Sequence, residues 1–437
     1  MSNRILLGLL LLPIIACNQD EKQPAEPSAK PSLSATIPPP ASVNVTVTVP
    51  SGLRSAPFDV PRQLTVPPNF SVAVYARVSG ARFMAMAPNG NLLVSQPNTG
   101  KVLILRQNGT NPALVSTFAS GLNSPHDMVF HVIGTKTYLY IAEANQVNRY
   151  VYTKGDLTAK KRQVIVTNLP QGGHNLKNLA LDPSHNLYVS IGSSCNVCPG
   201  DSQSNPQRAA IYRYNADGTG GQLFASGLRN AEGLDFVPGT STLWVVVNNR
   251  DNIPYPFNDA SGNYGKVIQS FVDNHPPDEF TRVASGANYG WPFCNPNPDL
   301  AGGMVDMPFD LDYDLNATGT VNCGNMTRIN MGIQAHSAPL GLKFFQNTNA
   351  PSTYRTGAAV ALHGSWNRSQ MTGSKVIFFA WDNATSLPVT PIDLVTGWLV
   401  GGSAWGRPVD VAVGPAGKIF ISDDQSGTIY RLSSSVP

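Results

Sequence analysis

One hydrophobic and polar pattern recurs along the chain. A turn of Pro, Gly or Asn leads into a short apolar run, and small polar residues follow it. Residues 92–95 follow Ala87-Pro88-Asn89-Gly90-Asn91, and residues 187–192 follow Asp182-Pro183-Ser184-His185-Asn186. Residues 243–247 follow Val237-Pro238-Gly239-Thr240, and residues 419–422 follow Gly414-Pro415-Ala416-Gly417-Lys418. Residues 138–142 and 358–362 are looser copies. The starts at 92, 138, 187 and 243 lie 46, 49 and 56 residues apart, and the long interval from 243 to 358 must hold an insertion. Strands at a period of roughly 40–50 residues, with no helical spacing, are the pattern of a β-propeller. Six copies predict an all-β fold of six blades. Runs such as Leu243-Trp244-Val245-Val246-Val247 are apolar throughout, as strands covered on both faces are.

The N-terminus reads differently. Arg4 precedes an apolar run over residues 5–15, which is signal-peptide length and too short to span a bilayer. It ends in Ile14-Ile15-Ala16-Cys17, similar to a bacterial lipobox in which Cys17 becomes the lipidated N-terminus. Residues 18–60 are rich in Pro, Ser and Ala and cannot bury a core, so they read as a disordered tether. The predicted organisation is a lipoprotein signal over 1–17, the tether over 18–60 and the propeller over 61–437. It predicts a protein on the periplasmic side of a bacterial membrane, held by its lipid anchor only. Asn18 favours the outer membrane over the inner.

Composition narrows the class. Charged residues are only 13% of the chain, the net charge is +3, and no block of like charge exists, which argues against a nucleic-acid partner. Beyond the N-terminus no apolar run is long enough for a transmembrane helix. Apart from Cys17 the cysteines are Cys195, Cys198, Cys294 and Cys323. An even count in an exported chain suggests two disulfides. Three pairings are possible; proximity favours Cys195–Cys198 with Cys294–Cys323. The rival reading of Cys195-Asn-Val-Cys198 is a redox pair or half a zinc site, although no second CxxC exists.

In a propeller, the segments before the repeat strands form a mouth where function concentrates. Gln171-Gly172-Gly173-His174-Asn175 puts a histidine there, with a pKa range suited to a general base. Gly227-Leu228-Arg229-Asn230 occupies the same place one repeat later, and Arg229 offers a rigid fork of donors. Asn288-Tyr289-Gly290-Trp291-Pro292 could wall a planar ligand. His363-Gly364-Ser365-Trp366-Asn367-Arg368 follows the fifth strand, and Gly406-Arg407-Pro408 precedes the sixth. A mouth lined by Arg82, Arg229, Arg368 and Arg407 would suit an anionic ligand. Each motif also has a plain structural reading, as a loop residue, an inter-blade ion pair or a packed turn.

Taken in order, these pieces resemble the PQQ-dependent glucose/sorbosone dehydrogenase family, and most of all its bacterial L-sorbosone dehydrogenase-like group. The resemblance runs from about Leu64 to Leu432. It rests on Gly173-His174-Asn175 with Leu187-Tyr188-Val189-Ser190-Ile191-Gly192, on Gly227-Leu228-Arg229-Asn230, on Asn288-Tyr289-Gly290-Trp291-Pro292, and on the stretch from Arg407 to Arg431. It implies a six-bladed propeller that oxidises a sugar or sugar aldehyde with PQQ, a planar tricarboxylate. By this resemblance His174 takes the hydroxyl proton while hydride passes to the quinone, and Arg229 steadies the quinone oxygen. Asn230 and Arg407 match family positions that hold the cofactor, and Arg82 and Arg368 of the cationic mouth are further candidates to hold it. Calcium would sit on backbone oxygens near Asn249 and Arg250. Such a reaction needs an electron acceptor, and a cytochrome or a quinone would suit the expected compartment.

This chain departs from the glucose-oxidising branch at three places. Ser193 stands where an Asp orients the histidine, Val409 stands where a second Arg follows Arg407, and no cofactor-binding Lys is evident, Arg368 being the nearest candidate. Two other readings therefore stand beside the dehydrogenase. One is a propeller that binds without catalysis. The other is a calcium-dependent lactonase-type hydrolase, for which Glu143, Glu232 and Asp410 are possible ligands.

Overall fold

Each of the six apolar runs becomes the second strand of an antiparallel sheet, and the six sheets are the blades of a propeller. The computed structural model describes residues 41–300, 303–346 and 350–435. The first blade is Met84–Met86, Leu92–Gln96, Lys101–Asn108 and Asn111–Ala119. The second is Met128–Ile133, Lys136–Glu143, Gln146–Tyr152 and Gln163–Val166. The third is Leu179–Leu181, Asn186–Ile191, Ala210–Asn215 and Gln222–Ser226. The fourth opens with Ala231–Phe236, Leu243–Val247 and Asp278–Arg282, then pairs with Ile329–Ile333 and Val305–Met307. The fifth is built on Pro339–Phe345, Gly357–Leu362 and Lys375–Asp382. The sixth joins Pro408–Val413, Ile419–Asp423 and Thr428–Ser434 to Phe70–Arg77 from the start of the domain. That pairing closes the ring with hydrogen bonds between the first and last parts of the propeller.

The second strands are buried along their length, as their composition requires: all five residues of Leu243–Val247 and all six of Gly357–Leu362 are inaccessible. Their side chains fill the spaces between blades. Leu93, Ile104 and Phe118 of the first blade pack with Leu139, Ile141 and Tyr150 of the second. Burying each such side chain contributes about 1.5–3 kcal/mol. The small polar residues that end the runs have their own task. The hydroxyls of Ser95, Ser190 and Ser422 accept the backbone N–H of Phe83, Asn178 and Asp410 at 3.0, 3.0 and 3.1 Å, where the first strand starts.

Blades are also clasped by buried carboxylates. Asp127 Oδ2 accepts the N–H of Leu179, Asp235 Oδ2 that of Phe344, and Asp410 Oδ2 that of Met84, each at 2.8 Å. In each case an aspartate on, or immediately before, one blade's first strand satisfies a donor on the next.

The interval after residue 247 holds the expected insertion, residues 248–277 and 283–328, which are largely loop around short elements such as the strand Val305–Met307. Both favoured disulfides form, Cys195–Cys198 and Cys294–Cys323. One boundary moves. The Pro/Ser/Ala-rich tether was expected to reach residue 60, but Val43–Thr46 pairs antiparallel with Gln63–Val66, and Val47 and Phe58 are buried in the core beside the closing blade. Two well-placed apolar residues anchor a stretch whose average composition is polar. Residues 1–40, with the signal and Cys17, lie outside the described residues.

Candidate active site

The loops that lead into the first strands converge at one end of the propeller. Two neighbouring cavities open there, lined by consecutive residues of the same two loops: His174 and Gly364 face one, Asn175 and His363 the other. The smaller, about 180 Å³, is lined by His174, Arg229, Asn230, Asn249, Asp251 and His336 among others. The larger, about 690 Å³, carries Arg82, Asn175, His363, Arg407 and Asp424.

His174 is placed by two glycines. Gly173 has φ +59°, and a Cβ there would lie 2.3 Å from the carbonyl oxygen of Ser194. A Cβ on Gly192 would meet Asn230 Oδ1 at 2.5 Å and the His174 Cβ at 2.6 Å. The small residues let the 173–174 loop, the end of the third blade and Asn230 meet closely.

The histidine is oriented without a carboxylate. Its Nδ1 lies 2.8 Å from Ser193 Oγ and 3.2 Å from the Ser193 carbonyl. The Ser193 hydroxyl in turn donates to the carbonyl of Cys195 at 2.8 Å. A hydroxyl already donating must accept from the ring, so Nδ1 carries the proton and Nε2 keeps its lone pair. Burial pushes the His174 pKa down to about 4, and the Arg229 charge adds to the effect. The ring is therefore neutral at ordinary pH.

Arg229 is buried, and its fork is fully directed. Nε donates to the Asn196 carbonyl (3.2 Å), Nη1 to the Asn248 carbonyl (3.2 Å) and Nη2 to Asn196 Oδ1 (3.0 Å). Burial lowers its pKa to about 10, with Asp251 opposing, so it stays a cation. Asn230 donates to Glu232 Oε1 at 3.0 Å beneath the cavity.

Two residues that the motifs did not single out, Asp251 and His336, complete the smaller cavity. Asp251 stands 3.9 Å from Arg229 and 3.5 Å from His336 Nδ1. Burial alone would lower the pKa of His336, but Asp251 and Asp278 outweigh it and raise the value. Trp366 also lines the cavity and is 70% exposed. It, and not the Asn288–Pro292 segment, brings an exposed aromatic ring to the cavity. Tyr289 there is fully buried in the core of the third and fourth blades, and Trp291 is nearly so, its Nε1 donating to the Asn196 carbonyl in the 195–198 loop. That segment is packing, not a ligand wall.

Arg82 pairs with Asp424 at 2.9 Å, and Asp424 also binds His363 at 2.8 Å. Arg407 donates to the carbonyls of His363 and Gly364 at 2.8 and 3.0 Å, so it supports the loop that carries Trp366. Arg368 is not brought to either cavity; its guanidinium turns to the carbonyls of Ala335 and Gln370. Asn249 lines the smaller cavity, its side chain bound to Pro277 and Glu279. The Arg250 guanidinium leaves the mouth and pairs with Asp312 and Asp314, tying down the insertion. Val409 lies in a buried apolar cluster with Phe83 and Leu340, a place for packing rather than a cation.

Glu143, Glu232 and Asp410 do not form a common ligand set. Glu143 is held by Arg162 and Gln146, Glu232 by Asn230, and Asp410 by the Met84 amide. Among the described residues no group of three or more His, Cys, Asp or Glu could hold a metal ion.

Residues 64–435 match the family described as TrAA12-like. A pyrroloquinoline quinone-dependent sugar dehydrogenase of Hypocrea jecorina is 25% identical over 401 residues, covering 82% of this chain and 86% of that protein. The holo form of the pyranose dehydrogenase PQQ domain from Coprinopsis cinerea superposes with a TM-score of 0.72 at 21% identity, over 88% of this chain and all of that one. The calcium structure of a Trichoderma reesei carbohydrate-active enzyme of family AA12 gives 0.70 at 23% identity, over 85% and 96% of the two chains. These structural likenesses show the shared propeller fold.

Proposed function

The chain belongs to the TrAA12-like family, and on that footing we propose that it is a PQQ-dependent dehydrogenase that oxidises a sugar or sugar aldehyde at the mouth of the propeller. One observation carries the reading: a neutral histidine, fixed by Ser193, shares a cavity with a buried and fully directed arginine.

The donor set fits the cofactor. Arg82, Arg229 and Arg407 bring three guanidinium groups to one mouth in a chain with few charges, and the Arg82 Nε is buried without a partner. Carboxylates are what such forks bind best. Trp366 offers an exposed ring to a planar group. When bound, the quinone supplies the acceptor for the hydride. Calcium at this site would rest on main-chain and amide oxygens near Asn249, with Asp251 as the carboxylate within reach of the cavity; its support is the calcium structure of the T. reesei relative.

The chain's own residues supply the rest. With Nδ1–H committed to Ser193, His174 accepts the substrate's hydroxyl proton at Nε2. The Arg229 cation, held by three hydrogen bonds before substrate arrives, stabilises negative charge that develops beside it without reorganising. Asp251 and His336 offer an acceptor and a donor to sugar hydroxyls. The signal-like residues 5–17 support export and lipid anchoring in a periplasmic setting, where a cytochrome or a quinone would take the electrons. PQQ titration of the wild type and of His174→Ala tests the assignment. Both should bind the cofactor, and only the wild type should turn over; equal turnover would remove His174 as the base.

A further inference from the structure

The loop closed by Cys195–Cys198 binds the Arg229 guanidinium and the Asp251 backbone at the smaller cavity. Its centre is Asn196, whose carbonyl oxygen and side-chain amide are all engaged. The main-chain oxygen accepts from Arg229 Nε (3.2 Å) and Trp291 Nε1 (3.3 Å). Oδ1 accepts from Arg229 Nη2 (3.0 Å) and from the Asp251 N–H (2.8 Å). Nδ2 donates to the Asp251 carbonyl (2.9 Å). The side-chain amide thus binds the Asp251 backbone through a donor and an acceptor together, while the same residue grips two nitrogens of Arg229. Next to it, the Cys195 carbonyl is the acceptor that aligns Ser193 and, through it, His174.

We propose that Asn196 is the positioning residue of this site. It sets the plane of the Arg229 guanidinium and the distance between Arg229 and Asp251, and the disulfide keeps it there. The physical need is clear. Arg229 and Asp251 stand 3.9 Å apart, beyond a hydrogen bond. Without an intervening anchor, opposite charges at that distance would close into a direct pair and withdraw the guanidinium from the cavity. A four-residue ring limits the conformations open to Asn196 at little cost to the rest of the blade. The role rests on the dehydrogenase reading for its effect on rate, but not for its effect on Arg229.

Three variants test it: Asn196→Ala, Asn196→Asp and Cys195→Ser with Cys198→Ser. In the cofactor-free protein, exchange of the Arg229 Nη2–H protons, which donate to Asn196 Oδ1, is read by nitrogen-15 NMR. It should be slow in the wild type and in Asn196→Asp, which keeps the acceptors for Arg229, and at least tenfold faster in Asn196→Ala and in the double variant. In the PQQ-loaded protein, Asn196→Ala should lower kcat about 10–100-fold with KM for the sugar within about twofold, and Asn196→Asp should recover most of that loss. Unchanged Arg229 exchange in Asn196→Ala, or equal kcat losses in the Ala and Asp variants, would overturn the proposal. Changed exchange in a protein that oxidises no sugar would keep Asn196's structural role and reject the dehydrogenase reading instead. Should Asn196→Ala fail to fold, the Asp and double variants decide by the same exchange measurement.

Discussion

The Nδ1 of His174 lies 2.8 Å from the hydroxyl of Ser193, and that hydroxyl has no other route than to accept, since its own proton goes to Cys195. A serine here fixes the tautomer as a carboxylate would, but it adds no charge to favour the imidazolium. Burial then governs, and the pKa falls to about 4. The base form is lost only as pH drops through that value. The acid limb of kcat/KM should therefore lie near 4, not near 6.5. Ser193→Asp should move it upward by at least one unit, because a neighbouring carboxylate stabilises the protonated ring. A pH–rate profile of both proteins checks this.

Arg229 spends Nε, Nη1 and Nη2 on three separate acceptors. A lysine keeps the charge but cannot reproduce that fork. Arg229→Lys should lower kcat by about 10²–10³, in steady-state assays with saturating PQQ.

Trp366 makes its case by exposure. Removing a ring that is 70% accessible leaves no cavity in the core. Trp366→Ala should change the unfolding free energy by about 0.5 kcal/mol or less while weakening PQQ binding several-fold, as read by absorbance titration and thermal melts.

Glu279 lies fully buried under Asn249, and burial raises its pKa to about 8. A raised carboxylate binds its proton more tightly folded than unfolded. Its contribution to stability is therefore whole below about pH 4.5 and declines as pH rises to about 8, by about 1.4 kcal/mol per unit over that range. Glu279→Gln should be more stable than the wild type at pH 8.5 and comparable at pH 4.5. Chemical unfolding at the two pH values measures it.

The blades were legible because each second strand is apolar on both faces and is announced by a turn and closed by a small residue such as Ser95, Ser190 or Ser422. His174 and Arg229 were legible because they sit in glycine-marked loops at a fixed offset before those strands. Asp251 and His336 carry no such mark. They reach the cavity from the fourth-blade insertion and from its return to the fifth blade, where spacing follows no repeat. Tyr289 and Trp291 misled for a related reason: an aromatic, turn-rich motif has the same composition whether its rings line a mouth or fill the space beneath it. The inter-blade clasps by Asp127, Asp235 and Asp410 were hidden because a lone Asp in an apolar strand shows no partner until the neighbouring blade is in place.

The most direct test of the central claim is reduction of a dye acceptor by the purified domain, from about residue 41 onward, supplied with PQQ and calcium and offered a panel of aldoses, ketoses and sugar aldehydes. The account predicts sugar-dependent reduction that requires PQQ and is abolished in His174→Ala. PQQ binding confirmed by absorbance, with no reduction from any sugar on the panel, would contradict it.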